Sequence, residues 1–282
     1  MDHKTKSFQE IVNDLKPGMV AVVGVPSDEN STFMRGAALA PSRIREALHS
    51  DATNLCAENG LDLGAESRWQ DLGDLELAGG TDSLEQIETA IGRLLERDVC
   101  VVALGGDHAI TYPILKAYGA RYQNLSILHL DAHPDLYDEY EGNRHSHACP
   151  FARIMEEDLV GRLVQVGIRT MNPHQRAQAE RFGVQVVDMR QWQAGLRPEF
   201  DGPLYVSLDM DVLDPAFAPG TSHHEPGGLS TREVLSLIQG LNAPLGGADI
   251  VEFNPRRDPV GITAMAAAKF LKEIVACMLE GN

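Results

Sequence analysis

The sequence predicts an α/β fold in which a mainly parallel sheet of eight strands is covered by helices on both faces. Short apolar runs rich in branched residues alternate along the chain with segments whose apolar residues have helical spacing. Runs of this kind are typical of strands buried on both faces. No internal repeat and no low-complexity linker divides the chain, so we expect one domain spanning residues 1–282.

The first third of the chain predicts two strands and two helices. Residues 19–26 form an almost unbroken apolar run, which indicates the first strand, and a polar loop follows it. A helix is expected to begin near Pro41, because proline suits the first turn of a helix, and to continue to Leu48. Residues 67–72 are expected to form an edge strand, and residues 83–95 carry apolar side chains along one helical face.

The next two predicted strands each end in a group of polar residues. The third strand, residues 99–104, stops at Gly105-Gly106-Asp107-His108, where two glycines allow a sharp turn. A helix over 110–118 leads to the fourth strand, residues 125–130. That strand ends in Asp131-Ala132-His133-Pro134-Asp135, so both strands are followed at once by possible metal ligands.

The second half of the chain continues the alternation. Residues 136–147 form a polar loop that is too long for a simple connection, and long ordered loops are often functional. Apolar runs predict the remaining strands over 163–168, 184–187, 204–208 and 248–253. Helical spacing predicts helices over 151–159, between the fifth and sixth strands, and over 230–239 and 263–279.

The composition limits the possible partners and location. A formal net charge of −17 argues against nucleic acid and anionic membranes as partners, and it is compatible with a cationic substrate. Residues 1–8 lack the apolar core of a signal peptide, and no run approaches the ~20 apolar residues of a membrane span. The four cysteines form no C-x-x-C pair, so we expect reduced thiols and a cytoplasmic protein.

Three predicted strand ends carry histidine and aspartate side chains that suit metal binding. Each group alone is equally compatible with a polar turn, but parallel strands place their carboxyl ends at one edge of the sheet. Four carboxylates brought together there would repel one another unless cations neutralised them, and two divalent ions supply the matching charge. The six candidate ligands are His108, Asp131, His133, Asp135, Asp209 and Asp211.

These motifs resemble the signature motifs of the ureohydrolases, the arginase and agmatinase family. The similar segments are Gly105-Gly106-Asp107-His108, Asp131-Ala132-His133-Pro134-Asp135 and the run from Ser207 to Pro215, and the likeness extends nearly end to end. The resemblance implies a three-layer α/β/α domain with an eight-stranded parallel sheet. It also implies homo-oligomers, either trimers or hexamers.

The resemblance further implies two metal ions per chain, normally Mn²⁺ with Ni²⁺ as an alternative. One ion would be held by His108, Asp131, Asp135 and Asp209, and the other by Asp131, His133, Asp209 and Asp211. A hydroxide between the ions would attack the guanidinium carbon and release urea and an amine. Glu252 corresponds to the guanidinium-binding glutamate, Asp135 to a proton relay and His147 to the proton shuttle. His145 is the competing candidate for the shuttle, whereas His129 is expected to be a core residue.

The sequence leaves the substrate open, and agmatine is narrowly favoured. Acidic residues of the 136–147 loop suit the distal amine of agmatine, whereas Arg144 suits a carboxylate, as in guanidinobutyrate or formimidoylglutamate. His145, His223 and His224 are further candidates for substrate contacts. A different class of function is a non-catalytic subunit that keeps the fold. Phosphatase-like hydrolysis is disfavoured because few basic residues flank the motifs.

Overall fold

The computed structural model of the protein describes residues 8–281, apart from the side chain of Thr81. Eight strands form one sheet in the order β2-β1-β3-β8-β7-β4-β5-β6, and every pairing is parallel. The predicted fold class is therefore confirmed. Residues 1–7, which hold most of the segment predicted to lack a signal peptide, lie outside the described part.

The strands and helices alternate as the sequence predicts. The strands are β1 (Val20–Gly24), β2 (Trp69–Asp74), β3 (Cys100–Leu104), β4 (Ser126–Leu130), β5 (Arg162–Ile168), β6 (Gln185–Asp188), β7 (Leu204–Asp209) and β8 (Leu245–Val251). The helices are α1 (Phe8–Asp14), α2 (Ala40–Leu48), α3 (Thr81–Leu95), α4 (Thr111–Arg121), α5 (Pro150–Glu156), α6 (Pro173–Phe182), α7 (Thr231–Gln239) and α8 (Ile262–Glu280). No helix within residues 8–281 has the length and apolar character needed to cross a membrane.

Two apolar cores lie on the two faces of the sheet. Alternate residues of each strand point to opposite faces, as in Val20 and Val22 against Ala21 and Val23 of β1. Helices α2, α7 and α8 cover the first core, and α1, α3, α4, α5 and α6 cover the second. The central strands are thus buried on both faces, which explains why their sequences are continuous apolar runs.

Most predicted boundaries lie within a few residues of the observed ones, and two larger differences remain. Helix α1 was not predicted, and β8 begins at Leu245 rather than at residue 248. Gly246 and Gly247 interrupt the apolar run there, so the apolar pattern does not predict the first three residues of the strand. Glycine is required at 247, because a Cβ atom would clash with the ring and hydroxyl of Tyr118.

The order of the strands determines where polar residues meet. The four central strands are β3, β8, β7 and β4, and these are the strands followed by candidate site residues. Because all four are parallel, their carboxyl ends lie side by side at one edge. The sheet therefore brings together four segments that are distant in the sequence.

Candidate metal centre and active site

Tight turns at the strand ends position the candidate ligands. After β3, the Asp107 carboxylate accepts a hydrogen bond from the backbone N–H of Ala109 at 3.1 Å. After β7, Asp209 accepts from the N–H of Asp211 at 2.7 Å. Short aspartate side chains favour such turns because they satisfy the backbone two residues on. Each turn ends its strand, so the side chains that follow stay at the edge of the sheet.

Two acidic site residues adopt the left-handed backbone region. Asp135 has φ 49° and Glu252 has φ 61°, values that are uncommon for residues with a Cβ atom. Backbone strain of this kind concentrates at functional sites, where the surrounding structure enforces it. At Glu252, the backbone N–H donates to the carbonyl of Gly106 at 2.9 Å, which ties the ends of β8 and β3 together.

The first ligand cluster surrounds the His108 ring. Its Nδ1 lies 3.0 Å from Asp135 Oδ2, 3.1 Å from Asp131 Oδ2 and 3.3 Å from Asp209 Oδ2. Although these oxygens are near, Nδ1 is buried without a hydrogen bond of acceptable geometry to any described residue. Three carboxylate oxygens thus lie around a buried imidazole nitrogen, which makes these four residues candidate ligands of a common cation.

The opposite side of the His108 ring fixes which nitrogen can bind a metal. Nε2 lies 2.9 Å from Ser207 Oγ, and this hydroxyl donates in turn to Asp249 Oδ1 at 2.7 Å. Since the Ser207 proton points to Asp249, the serine oxygen accepts the Nε2–H of His108. The lone pair of Nδ1 is thus presented to the cluster, in the way that outer hydrogen bonds orient metal-binding histidines.

The second ligand cluster surrounds the His133 ring. Its Nδ1 lies 3.0 Å from Asp211 Oδ2 and 3.3 Å from Asp131 Oδ1. Asp131 therefore has one oxygen near each histidine ring, and its role as a bridge stays a prediction. Asp209 presents Oδ2 to His108 while its Oδ1 accepts the Asp211 N–H, so its role as a second bridge remains a prediction.

The charges of the two clusters fit divalent cations. Burial, followed by the repulsion of Asp211 and Asp131, raises the pKa of Asp209 well above its ordinary value. Burial also raises the pKa of Asp211. Carboxylates crowded in this way are stabilised when cations lie between them. A donor set of imidazole nitrogen and carboxylate oxygen suits Mn²⁺, Ni²⁺ and Zn²⁺, so these residues fit a binuclear metal centre.

A second pair of side chains lies beside the clusters. Glu252 Oε1 accepts from the backbone N–H of His108 at 2.9 Å and lies 2.9 Å from His147 Nδ1. The other ring nitrogen of His147 lies 2.9 Å from Thr32 Oγ1. Burial lowers the pKa of His147, but the Glu252 carboxylate outweighs this effect and raises it to about 9. Burial raises the pKa of Glu252, and His147 more than compensates, so the net shift is downward.

A cavity of about 250 Å³ opens over these residues. The candidate ligands His133, Asp135, Asp209 and Asp211 line it together with Glu252 and His147. The rest of the lining forms the cavity wall, and among the described residues no lysine or arginine lines the cavity. The wall residues are Thr32, Tyr137, Tyr140, Ala148, Thr170, Gln175 and His223. Such a cavity can hold a small molecule beside the candidate ligands.

Three residues predicted to contact substrate lie elsewhere. The Arg144 guanidinium is bound by Asp138 at 2.6 Å and Glu156 at 2.9 Å, so it does not line the cavity. His145 is stacked on Tyr112 with ring centroids 5.6 Å apart. His224 lies in a separate surface groove, where Nε2 donates to the Pro219 carbonyl at 2.7 Å. Of the loop candidates for substrate contact, the structure places only His223 at the cavity.

Several cavity residues were not found from the sequence. Thr32 belongs to the polar loop after β1, and no motif distinguishes it from its neighbours. Thr170 and Gln175 lie beyond β5, at the start of the segment that contains α6. Tyr137 and Tyr140 belong to the loop that was singled out for its length, so that signal pointed to the correct segment.

Comparisons with known proteins find similar sequences and similar solved structures. A family model described as Arginase family matches residues 19–277. The chain is 44% identical over 274 residues to Arginase 1, mitochondrial, of Arabidopsis thaliana, covering 91% of this chain and 80% of the relative. It is 34% identical over 267 residues to an agmatinase of Bacillus cereus, covering 91% and 90% respectively. The solved arginase from Medicago truncatula superimposes with a TM-score of 0.88 at 38% identity, covering 96% of this chain and 91% of that one.

Proposed function

This chain belongs to the arginase family, and on that premise we propose that it hydrolyses a guanidino compound to urea and an amine, with L-arginine as the first candidate. The observation that carries the proposal is the contact of Glu252 with both His147 and the backbone of the ligand His108. It places a group able to bind a guanidinium directly beside the candidate metal centre. When bound, two divalent ions activate water for attack at neutral pH.

Glu252 is suited to orient the guanidinium. Among the described residues, both of its hydrogen-bond contacts use Oε1, so Oε2 remains available to N–H groups of a substrate. Oε1 already accepts two hydrogen bonds, which use both of its lone-pair sites, whereas Oε2 can accept one or two charge-assisted hydrogen bonds from a guanidinium. This contact would fix the face of the guanidinium carbon that meets the nucleophile.

His147 and Asp135 are suited to move protons. With a pKa of about 9, the His147 ring holds a proton at neutral pH that it can give to the departing amine. Thr32 Oγ1, at 2.9 Å from Nε2, lies at the outer side of the ring and offers a route to replace that proton. Asp135 lines the cavity and is suited to relay a proton from the nucleophile to the leaving nitrogen.

The cavity wall favours L-arginine over agmatine. The acidic loop residues that favoured a distal amine do not line the cavity, and Asp138 is already bound by Arg144 and Arg153. Uncharged hydroxyls such as those of Tyr137 and Thr170 suit a zwitterionic head that carries both an ammonium and a carboxylate group. The higher identity to the arginase relative than to the agmatinase supports the same order. Agmatine is the second candidate because of the strongly negative net charge.

Urea release from a substrate panel tests the proposal. Protein reconstituted with Mn²⁺, and separately with Ni²⁺, is assayed with L-arginine, agmatine, guanidinobutyrate, guanidinopropionate and guanidine. Formimidoylglutamate is followed by formamide release. We expect the largest kcat/KM with L-arginine, and preference for agmatine would reverse the substrate assignment. Binding of two metal ions without turnover of any substrate would favour the non-catalytic alternative.

We also propose that the chain forms homo-oligomers and resides in the cytoplasm. Exposed apolar side chains at Phe33, Met34, Val260 and Ile262 support self-association, with Val260 80% exposed. Sedimentation velocity showing only monomer would contradict it. The four cysteines are thiols, which suits any reducing compartment, although the Arabidopsis relative is named as mitochondrial. Imaging of the tagged chain in its own cells distinguishes the two locations.

A further inference from the structure

A buried histidine lies behind the candidate metal centre. His129 belongs to β4, two residues before the ligand Asp131, and its side chain is fully buried. The sequence alone suggested a core residue. In the structure its Nε2 lies 2.8 Å from Asp131 Oδ2, the same oxygen that lies 3.1 Å from His108 Nδ1. His129 is therefore part of the environment of the oxygen that Asp131 offers to the first cluster.

The neighbouring strand determines where His129 carries its proton. Gln165 is its partner in the register between β4 and β5, and Gln165 Nε2 lies 3.0 Å from His129 Nδ1. The same amide nitrogen lies 2.6 Å from the carbonyl oxygen of Pro134. A carbonyl only accepts, so the nitrogen of the Gln165 amide must face it, and its second N–H points to His129 Nδ1. His129 thus accepts at Nδ1 and donates from Nε2 to Asp131.

This proton arrangement separates His129 from the metal ligands. Nε2 of His129, Nδ1 of His108 and an Asp131 oxygen are close enough to hold a cation together. A nitrogen that carries a proton has no lone pair for a metal, and Nδ1 of His129 is engaged by Gln165. The ring is further held by Phe151, which stacks on it with centroids 3.9 Å apart at an interplanar angle of 27°.

We propose that His129 and Gln165 are positioning residues that hold Asp131 and the 131–135 ligand loop in the geometry required for binding two metals. His129 fixes the rotation of the Asp131 carboxylate through a charge-assisted hydrogen bond. Gln165 fixes the His129 proton and also holds the loop at Pro134, midway between His133 and Asp135. The inference rests on the proposed binuclear function and assigns to it two residues that contact neither substrate nor metal.

The effect of losing a hydrogen bond to a metal ligand can be estimated. Replacing hydrogen-bond partners of metal ligands typically weakens metal affinity or activity by about 10- to 100-fold. His129→Leu removes the donor at similar size, whereas His129→Gln restores an N–H group near the position of Nε2. Gln165→Leu leaves His129 in place but removes both amide contacts, so the ring is no longer restricted to one tautomer.

The test measures Mn²⁺ binding to metal-free protein by calorimetry, together with the electron paramagnetic resonance spectrum of the loaded protein. We expect His129→Leu and Gln165→Leu to weaken Mn²⁺ binding about 10- to 100-fold and to reduce the spin coupling between the two ions. His129→Gln is expected to retain most of the affinity. Tyr118→Phe is the matched control, since it removes a buried hydrogen bond to the Gly246 carbonyl on another strand. It should leave both readouts unchanged.

Several results would overturn the inference. Unchanged Mn²⁺ affinity and spin coupling in Gln165→Leu would show that the pair does not position Asp131, even if His129→Leu failed to fold. Loss of one of the two Mn²⁺ equivalents in His129→Gln would make His129 a ligand of the first cluster instead. If the unsubstituted protein does not bind Mn²⁺, the proposed function fails together with this inference. If it binds two Mn²⁺ ions and the variants bind them equally well, only the inference fails.

Discussion

The Asp131 carboxylate is the residue on which both metal clusters depend. It lies 3.1 Å from His108 through Oδ2 and 3.3 Å from His133 through Oδ1. Asp131→Asn keeps the size of the side chain but removes one anionic ligand oxygen from each cluster. We expect metal analysis to fall from two bound Mn²⁺ to one or none. Asp51→Asn, on the exposed surface, is the control. Retention of two tightly bound ions in Asp131→Asn would contradict the assignment of a bridge.

His147 and His145 provide a matched pair for the proton shuttle. His147 contacts Glu252 and lines the cavity, whereas His145 is stacked on Tyr112 outside it. General acid catalysis contributes about 10²- to 10⁴-fold, so we expect His147→Ala to lower kcat by at least about 10²-fold with its metal content intact. His145→Ala should leave kcat near that of the parent. The reverse result in steady-state urea assays would transfer the shuttle role to His145.

The location of a site residue was predictable from the sequence where it depends on the end of a strand. The six candidate ligands lie at or just after the ends of strands, so the strand predictions alone placed them at one edge, and the structure brings them together. Arg144 and His224 belong to loops, where position depends on neighbours that no local pattern identifies. Arg144 forms an ion pair with Glu156 of α5, and the loop sequence alone does not predict this contact.

The turn after β3 is an element in which the backbone leaves no room for a side chain. A Cβ atom on Gly106 would clash with the backbone carbonyl of Ser27, which belongs to the loop that leads to Thr32. Overpacking of this kind costs about 1–3 kcal/mol, so we expect Gly106→Ala to lower the free energy of unfolding by that amount. Since His108 follows two residues later, Mn²⁺ affinity should fall as well.

Gly92→Ala is the control for that substitution. Gly92 lies in α3, where an added Cβ meets nothing within 4 Å. Alanine there reduces the conformational freedom of the unfolded chain and should stabilise the protein by about 0.5–1 kcal/mol. Denaturant unfolding measures both variants. Equal effects of the two substitutions would show that the β3 turn tolerates a side chain and does not fix the site.

At the level of elements, local patterns predicted the strands but not their order. The buried strands are apolar runs, which made them easy to locate, and all eight strands, including the polar edge strand β2, were predicted within a few residues of their observed limits. The insertion of β8 between β3 and β7 depends on contacts between residues far apart in the chain, such as Gly247 against Tyr118. That insertion is what places Glu252 beside His108, and no local pattern of the sequence specifies it.

The whole molecule combines a buried, rigid sheet with a cluster of carboxylates at its edge. Asp131, Asp135, Asp209 and Asp211 are all buried, and burial raises the pKa of Asp209 and Asp211, so the charged forms of these two disfavour the folded state without cations. The apolar cores on both faces of the sheet oppose that effect and hold the strand ends in place. Because folding creates the site, metal binding and stability are linked.

That linkage predicts the effect of metal on thermal unfolding. A ligand present at about 100 times its Kd adds ~2.7 kcal/mol to the stability of the state that binds it. We therefore expect Mn²⁺ to raise the Tm of chelator-treated protein by several degrees, as measured by calorimetry. Mg²⁺ at the same concentration should have less effect, because imidazole ligands favour transition metals over Mg²⁺. Asp131→Asn should lose most of the Mn²⁺ shift, because its clusters no longer share an anionic bridge. If Mn²⁺ raised the Tm of Asp131→Asn as much as that of the unsubstituted protein, the stabilising ions would bind outside this site.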